Sequence, residues 1–267
     1  MSDDYLVRFG GISRLYGAQA LERFRTARVA VIGIGGVGSW TVEALARSGI
    51  GHLTLVDLDE ICVTNVNRQL HAMDGQIGRQ KTEAMAERVR AISPSCEVEI
   101  LPTFFGEKNA AEILDRNFDA VVDAIDTVRQ KSLLLALCRE RGIPIVTCGA
   151  AGGRRDPSRI RVTDLAHTIQ DALLMQVRKQ LRGHHGFPKA ATGKKPKKFG
   201  IPAIFTEEPA VFPQCDGSVS TQKPEGSNLR LSCESGYGTA APVTATFGLI
   251  AASQILERLA GSAGGHA

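Results

Sequence analysis

The chain has 267 residues, 43% hydrophobic and 22% charged, with a formal net charge of +4. That composition is of a soluble globular protein, long enough for one large domain or for a core with an appended region. The net charge is too small to argue for a nucleic-acid partner by itself. The six cysteines (Cys62, Cys96, Cys138, Cys148, Cys215 and Cys233) form no C-x-x-C pair, so there is no zinc-knuckle or thioredoxin signal. The opening MSDDYLVRFGG is polar and carries no secretory signal, and the expected compartment is the cytoplasm, with reduced thiols.

In chain order, residues 12–25 read as a helix leading into the core. Arg28 to Ile32 is a β-branched strand, and Gly36 to Ser48 a helix packing through Val37, Trp40, Thr41, Ala44 and Leu45. A second short strand, Leu53 to Val56, ends at Asp57. Lys81 to Ile92 reads as a helix and Glu97 to Leu101 as a strand. Ala120 to Ile125 is a strand, Val128 to Arg141 a helix and Pro144 to Cys148 a strand. Strands alternating with helices of this length predict an α/β fold, Rossmann-like, with a mostly parallel sheet and helices on both faces.

After Gly149 the pattern changes. Residues 149–153 form a hinge-like glycine and alanine loop, Arg159 to Val162 a strand, and His167 to Leu181 an amphipathic helix facing inward through Ile169, Leu173, Val177 and Leu181. Residues 183–200 read as a basic loop rich in Gly, Pro and Lys. The apolar stretch 240–256 contains Pro242, Gly248 and several polar residues. It is expected to be a buried or interface helix, with membrane association as the alternative. The expected division is a core over 1–165 and a C-terminal α/β extension over 166–267 whose last helix packs on the core.

The sharpest signal is Gly33-Ile34-Gly35-Gly36-Val37-Gly38, between a strand and a helix. Gly33 permits the turn, Gly35 lets the backbone approach a phosphate, and Gly38 lets helix and strand pack closely. About 20 residues on, Asp57 stands at a strand end, where ribose hydroxyls are held. NAD is the default ligand of such a turn. The residues after Asp57 favour a triphosphate instead: Asp59, Asn65, Asn67, Arg68, Gln69 and Lys81. Arg68 and Lys81 can neutralise phosphate oxygens, and Asn65 and Gln69 can hydrogen-bond phosphate or an attacking carboxylate. Asp126 ends the AVVDAID strand and suits Mg²⁺, which takes one or two carboxylates plus phosphate and water.

On GIGGVGS, the D-x-D of Asp57 and Asp59, the N-x-N-R-Q of residues 65–69, Lys81 and Asp126, the chain resembles the ubiquitin-activating-enzyme-like superfamily, of the adenylating ThiF/MoeB type, over roughly residues 8–165. The resemblance implies that ATP lies on Gly33, Gly35, Gly36 and Gly38, with Asp57 on ribose and Asn65, Arg68 and Lys81 on phosphates. Asp59 and Gln69 complete the nucleotide site. Asp126 would hold Mg²⁺, and Arg68, Lys81 and Asp126 would serve adenylation of a carboxylate. It also implies a homodimer in which an N-terminal Arg reaches the partner's ATP. The R-[FY]-x-R pattern of the family is broken here to Arg8-Phe9-Gly10-Gly11, and Arg14 is the substitute candidate.

Sulfur-carrier adenylyltransferases carry paired C-x-x-C motifs and some a rhodanese-like extension, both missing here. RFGG, RLYG, VTDLAHTIQDALL (162–174), VFPQCDGS (211–218) and SCESGYGTAAPVTATFG (232–248) instead resemble the tRNA-acting branch, nearly end to end. That branch dehydrates threonylcarbamoyladenosine beside the anticodon with ATP. Activation of a sulfur-carrier C-terminal glycine is the alternative, and an NAD-dependent oxidoreductase a more distant one. A tRNA partner fits the run Arg178, Lys179, Arg182, Lys189, Lys194, Lys195, Lys197 and Lys198, which holds no acid. Cys233 is a candidate sulfur acceptor from a cysteine desulfurase system, with Cys215 the weaker candidate. Cys62, Cys138 and Cys148 are expected to pack in or beside the core. His184 and His185 lack metal-ligand spacing.

Overall fold

Apolar runs with branched side chains bury best when stacked edge to edge between helices. In the computed structural model, which describes residues 4–189, 196–214, 216–222 and 238–261, they do so. The chain runs α1 (Asp4–Tyr16), α2 (Ala18–Thr26), β1 (Arg28–Ile32), α3 (Gly38–Arg47), β2 (His52–Val56), α4 (Lys81–Ile92), β3 (Glu97–Leu101) and α5 (Ala110–Leu114). It continues through β4 (Ala120–Asp123), α6 (Val128–Glu140), β5 (Ile145–Cys148), β6 (Ile160–Asp164) and α7 (Ala172–His184). Last come β7 (Pro202–Thr206), a small hairpin of β8 (Phe212–Pro213) and β9 (Val219–Ser220), and α8 (Ala241–Leu259).

Seven strands form one sheet in the order β3-β2-β1-β4-β5-β7-β6. All neighbours are parallel except the β6–β7 pair at one edge. Side chains alternate across the sheet, so β1 serves two cores. Val29 and Val31 face Val42 and Leu45 of α3, Met85 of α4 and Phe247 of α8. Ala30 and Ile32 face Ile113 of α5, Leu134 of α6 and Leu174 and Val177 of α7.

The stretch beyond residue 165 is woven into this sheet. β7 lies between β5 and β6, and α8 lies on α3. The α3–α8 contact depends on a missing side chain: a Cβ at Gly248 would lie 2.5 Å from the Val37 carbonyl oxygen and 2.8 Å from Trp40 Cβ. Thr41 Oγ1 donates to the Gly248 carbonyl across that approach (3.2 Å). The apolar 240–256 stretch is therefore a buried helix, with Val243, Phe247, Ala251 and Ile255 in the core. Among the described residues no helix is long and apolar enough to cross a membrane.

Several expectations are corrected. The helix read over 12–25 is two helices, because the chain turns at Gly17 with φ of 91°. α1 reaches back to Asp4, and Tyr5 Oη donates to the Gly49 carbonyl (2.6 Å). The helix read from His167 starts at Ala172, where the Asp171 carboxylate accepts from Leu174 N (2.8 Å) and caps it. Ile169 therefore lies outside the helix and is exposed. α7 runs to His184, shortening the basic loop. β7 escaped the sequence reading because five residues between two loops carry no helical or hairpin context. Cys62 is exposed, in a loop at the sheet's edge, whereas Cys138 and Cys148 are buried.

Gly248→Ala is expected to lower folding stability by about 1–3 kcal/mol, since the methyl group must push α8 off α3. Urea denaturation checks this, and an unchanged midpoint would show that the close approach is not needed.

Candidate active site

Parallel strands deliver their carboxyl ends to one edge, and the loops leaving them build the site. After β1 the chain turns at Gly33, with φ of 92° and Ala124 O only 2.9 Å from where a Cβ would stand. A Cβ at Gly38 would collide with the Gly33 carbonyl. Gly35 has only Gln69 Nε2 nearby, at 3.9 Å, and faces open space. The start of α3 thus points backbone N–H groups and the positive end of its dipole into a cleft.

Two buried side chains hold this turn. Asp57 Oδ2 accepts from Ile34 N (2.6 Å), and its Oδ1 from Asp59 N (2.9 Å). Burial raises its pKa above the ordinary carboxylate value, against the opposing charge of Lys81. His71 Nε2 lies 2.9 Å from the Ile34 carbonyl. A carbonyl only accepts, so Nε2 carries the proton. Burial pushes the His71 pKa down to about 4, so the ring is neutral at pH 7, and its Nδ1 has no hydrogen-bond partner among the described residues.

The loop after β2 carries the polar cluster. Asp59 pairs with Lys81 (Oδ2 to Nζ, 2.7 Å); the lysine is buried and the carboxylate half exposed toward the cleft. The 3-10 turn Val63–Asn65 is closed by Asn65 Oδ1, which accepts from Cys62 N (3.1 Å). Arg68 Nη1 donates to Thr64 O (2.8 Å) and Asn67 Oδ1 (3.1 Å). The C-terminal stretch latches this loop: Asn67 Nδ2 donates to Thr239 O (2.8 Å), Ala241 N to Asn67 O (3.0 Å) and Thr244 Oγ1 to Arg68 O (3.3 Å).

Asp126 is exposed in the turn between β4 and α6. After β5, Gly149 is required because a Cβ would collide with the Asp171 carboxylate, which also accepts from Ala150 N (2.9 Å). These loops enclose a cleft of about 740 Å³. It brings together Gly33, Gly35, Gly36, Asp57, Asp59, Asn65, Arg68, Gln69, Lys81 and Asp126. Sequence reading missed Phe104 after β3, Gln130 on α6, Leu173 on α7 and Thr239 before α8, all on the cleft wall. The position of Phe104 was legible as the carboxyl end of a predicted strand; Thr239 and Leu173 arrive only through long-range packing.

Arg14 is exposed on α1 and does not line the cleft. α7 starts at the cleft wall and carries Arg178, Lys179 and Arg182, which with Met175 and Lys189 surround a shallow hollow of about 440 Å³. Arg178 donates to Thr168 Oγ1, and Arg182 lies over the Phe199 ring, 5.1 Å from its centre. Lys197 and Lys198 are exposed and not part of that hollow. Lys194, Lys195, Cys215 and Cys233 lie outside the described residues.

No three acidic, His or Cys side chains converge as a metal cage among the described residues. One exposed carboxylate beside the glycine turn fits Mg²⁺, an ion that generally takes one or two carboxylates together with phosphate oxygens and water.

The ThiF family matches residues 11–266. The chain is 49% identical to the tRNA threonylcarbamoyladenosine dehydratase of Haemophilus influenzae, over 96% of this chain and 95% of that one. The crystal structure of the Escherichia coli tRNA N6-threonylcarbamoyladenosine dehydratase in complex with ATP superposes with a TM-score of 0.85 at 44% identity, covering 98% of this chain and 97% of that one. Its complex with AMP gives 0.85 at 45% identity, with 98% of each chain covered.

His71 makes stability pH-dependent with a definite sign. Its pKa falls from 6.5 to about 4 on folding, so between those values the unfolded chain binds the extra proton. The contribution is fully present above pH 6.5 and is lost as pH falls toward 4, by about 3 kcal/mol in all. Stability measured from pH 7 to 4 should show this loss, and His71→Gln should flatten it by about one proton. An equal slope in the variant would show that His71 is not responsible.

Proposed function

The chain belongs to the ThiF family, and we propose that it is the enzyme of that family which dehydrates threonylcarbamoyladenosine in tRNA at the expense of ATP. The observation that carries the reading is one cleft joining a glycine phosphate cradle, Lys81, Arg68 and Asp126, in a chain alike nearly end to end to that dehydratase. The triphosphate lies over Gly35 and Gly36 at the start of α3, where amide N–H groups meet it. Arg68 and Lys81 offset its charge. Asp57 already accepts two backbone N–H groups, so the half-exposed Asp59 shares the ribose with it. Gln69 and Asn65 face the phosphates.

Asp126 would hold Mg²⁺, which would supply charge stabilisation to the phosphates. The threonine carboxylate of the modified nucleoside attacks the α-phosphorus and pyrophosphate leaves. The neighbouring carbamoyl group then closes on the activated carbonyl carbon and gives up an N–H proton to solvent, while AMP carries away the carboxylate oxygen. The nucleoside loses one water. Catalysis here consists of positioning and cationic stabilisation, and no cysteine is needed.

The tRNA lies along α7. The helix is 13 residues long, about 20 Å at 1.5 Å per residue. It leads from the cleft to Arg178, Lys179 and Arg182, which meet backbone phosphates together with Lys194, Lys195, Lys197 and Lys198 further along the chain. The chain works as a homodimer: α1 exposes Leu6 (50%), Val7 (80%) and Leu15 (74%), and Arg14 on the same helix reaches the partner's nucleotide. Cys233 is the acceptor where a desulfurase system engages the enzyme. The reaction belongs in the cytoplasm with its tRNA.

Incubation with ATP, Mg²⁺ and tRNA carrying threonylcarbamoyladenosine is expected to yield AMP and a nucleoside lighter by one water, read by mass spectrometry under mild conditions. Asp126→Ala should slow this by about a hundredfold or more. An unchanged nucleoside in the presence of bound ATP would sink the assignment. Arg178→Ala with Lys179→Ala should weaken tRNA binding and reduce its salt dependence by about one ion per lost phosphate contact. An unchanged salt slope would remove α7 from the tRNA surface.

A further inference from the structure

Buried behind Ile125, a residue of the cleft wall, sits an ion pair that the reaction scheme does not use. Lys131 and Asp123 are both 0% exposed, with Nζ 2.8 Å from Oδ2. Thr147 Oγ1 donates to the same oxygen (2.6 Å), and Ile125 N donates to Oδ1 (3.1 Å). Lys131 Nζ also donates to the Ile125 carbonyl (2.7 Å). Such a pair is a poor source of stability, because desolvating two charges offsets their attraction. Its placement is more telling. It holds Ile125 by both its N–H and its carbonyl, and the next residue is Asp126. The same turn abuts the phosphate cradle, with Ala124 O and Ile125 N at 2.9 and 3.4 Å from where a Gly33 Cβ would stand. Ala124 N in turn donates to Ile32 O (2.9 Å), tying the turn to β1.

We propose that Lys131, acting through Asp123 and the Ile125 peptide groups, is a positioning residue that sets Asp126 at its distance from the glycine cradle, and so governs the metal-dependent part of nucleotide binding. The inference rests on the reading of Asp126 as the Mg²⁺ ligand. Lys131 touches neither nucleotide nor metal. It acts on the backbone between two strands' carboxyl ends, Asp123 at the end of β4 and Thr147 on β5. Loss of the clamp leaves the cradle intact and lets Asp126 drift.

The test is calorimetric titration of ATP into the full chain, with and without Mg²⁺. The variants are Asp126→Ala, the uncharged pair Asp123→Asn with Lys131→Met, the milder Thr147→Val, and Asp126→Ala combined with the uncharged pair. The uncharged pair should fold, bind metal-free ATP within about twofold of wild type, and lose about tenfold or more of the affinity that Mg²⁺ adds. Thr147→Val should lose less, in the same direction. On Asp126→Ala the pair substitution should change MgATP affinity by less than about twofold, since both act on one interaction. The proposal is overturned if the uncharged pair keeps the full Mg²⁺ gain, if its loss adds in full to that of Asp126→Ala, or if it fails to fold, which would make the pair an element of stability. A gain that survives Asp126→Ala alone overturns the metal reading of Asp126 instead, and shows before the pair is touched.

Discussion

At Gly38 there is no room for a side chain, because the Gly33 carbonyl already occupies the place where a Cβ would go. That approach brings the start of α3 down onto the end of β1. Much else follows from it. The first amides of α3 are left pointing into the cleft. Asp57 and His71 must be buried to hold the Ile34 peptide from both sides. α3 lies close enough to the sheet for α8 to cross it at Gly248, where a second side chain is missing for the same reason. Two glycines on α3 and α8 thus decide how near three layers come.

Charge is distributed with the same economy. The cleft wall carries Arg68 and Lys81, while Lys131 and Asp123 are fully buried as a pair without net charge. Acidic groups near the cradle are either tied to backbone amides, as Asp57 is, or matched by a lysine, as Asp59 is. Asp126, like Asp59, is exposed on the cleft wall. A polyanion bound there meets cations and amide dipoles fixed beforehand, so little reorganisation is required on binding. The loop bearing Arg68 is held from outside by Thr239, Ala241 and Thr244. The C-terminal stretch therefore shapes the cleft as well as covering α3.

Much of the cleft was legible from local pattern. A glycine turn between strand and helix, an acid at the end of β2 and a nearby cluster of amides and cations each carry their chemistry at short range. The α4 and β3 boundaries were read to the residue, since period and flanking residues agree there. The misreadings lie where local pattern was weak or overridden. Gly17 splits a helix that apolar spacing alone would continue. Asp171 caps α7 later than its amphipathic pattern begins. Cys62 is exposed because its loop stands outside the sheet, which no spacing reveals.

The sequence by itself determined the parallel sheet core, the glycine turn and the polar residues beside it, because each depends on residues adjacent in the chain or on a fixed period of 2 or 3.6. Tertiary structure alone decided three things. β7 enters between β5 and β6, so the stretch after residue 165 completes the sheet. Lys131 is a buried clamp on the turn that carries Asp126. α7 reaches the cleft wall at Leu173 and carries its basic residues further along, around a separate hollow. Each is a contact between segments far apart in sequence. Burial and backbone approach at such contacts depend on what the rest of the chain leaves room for, and no local pattern encodes that.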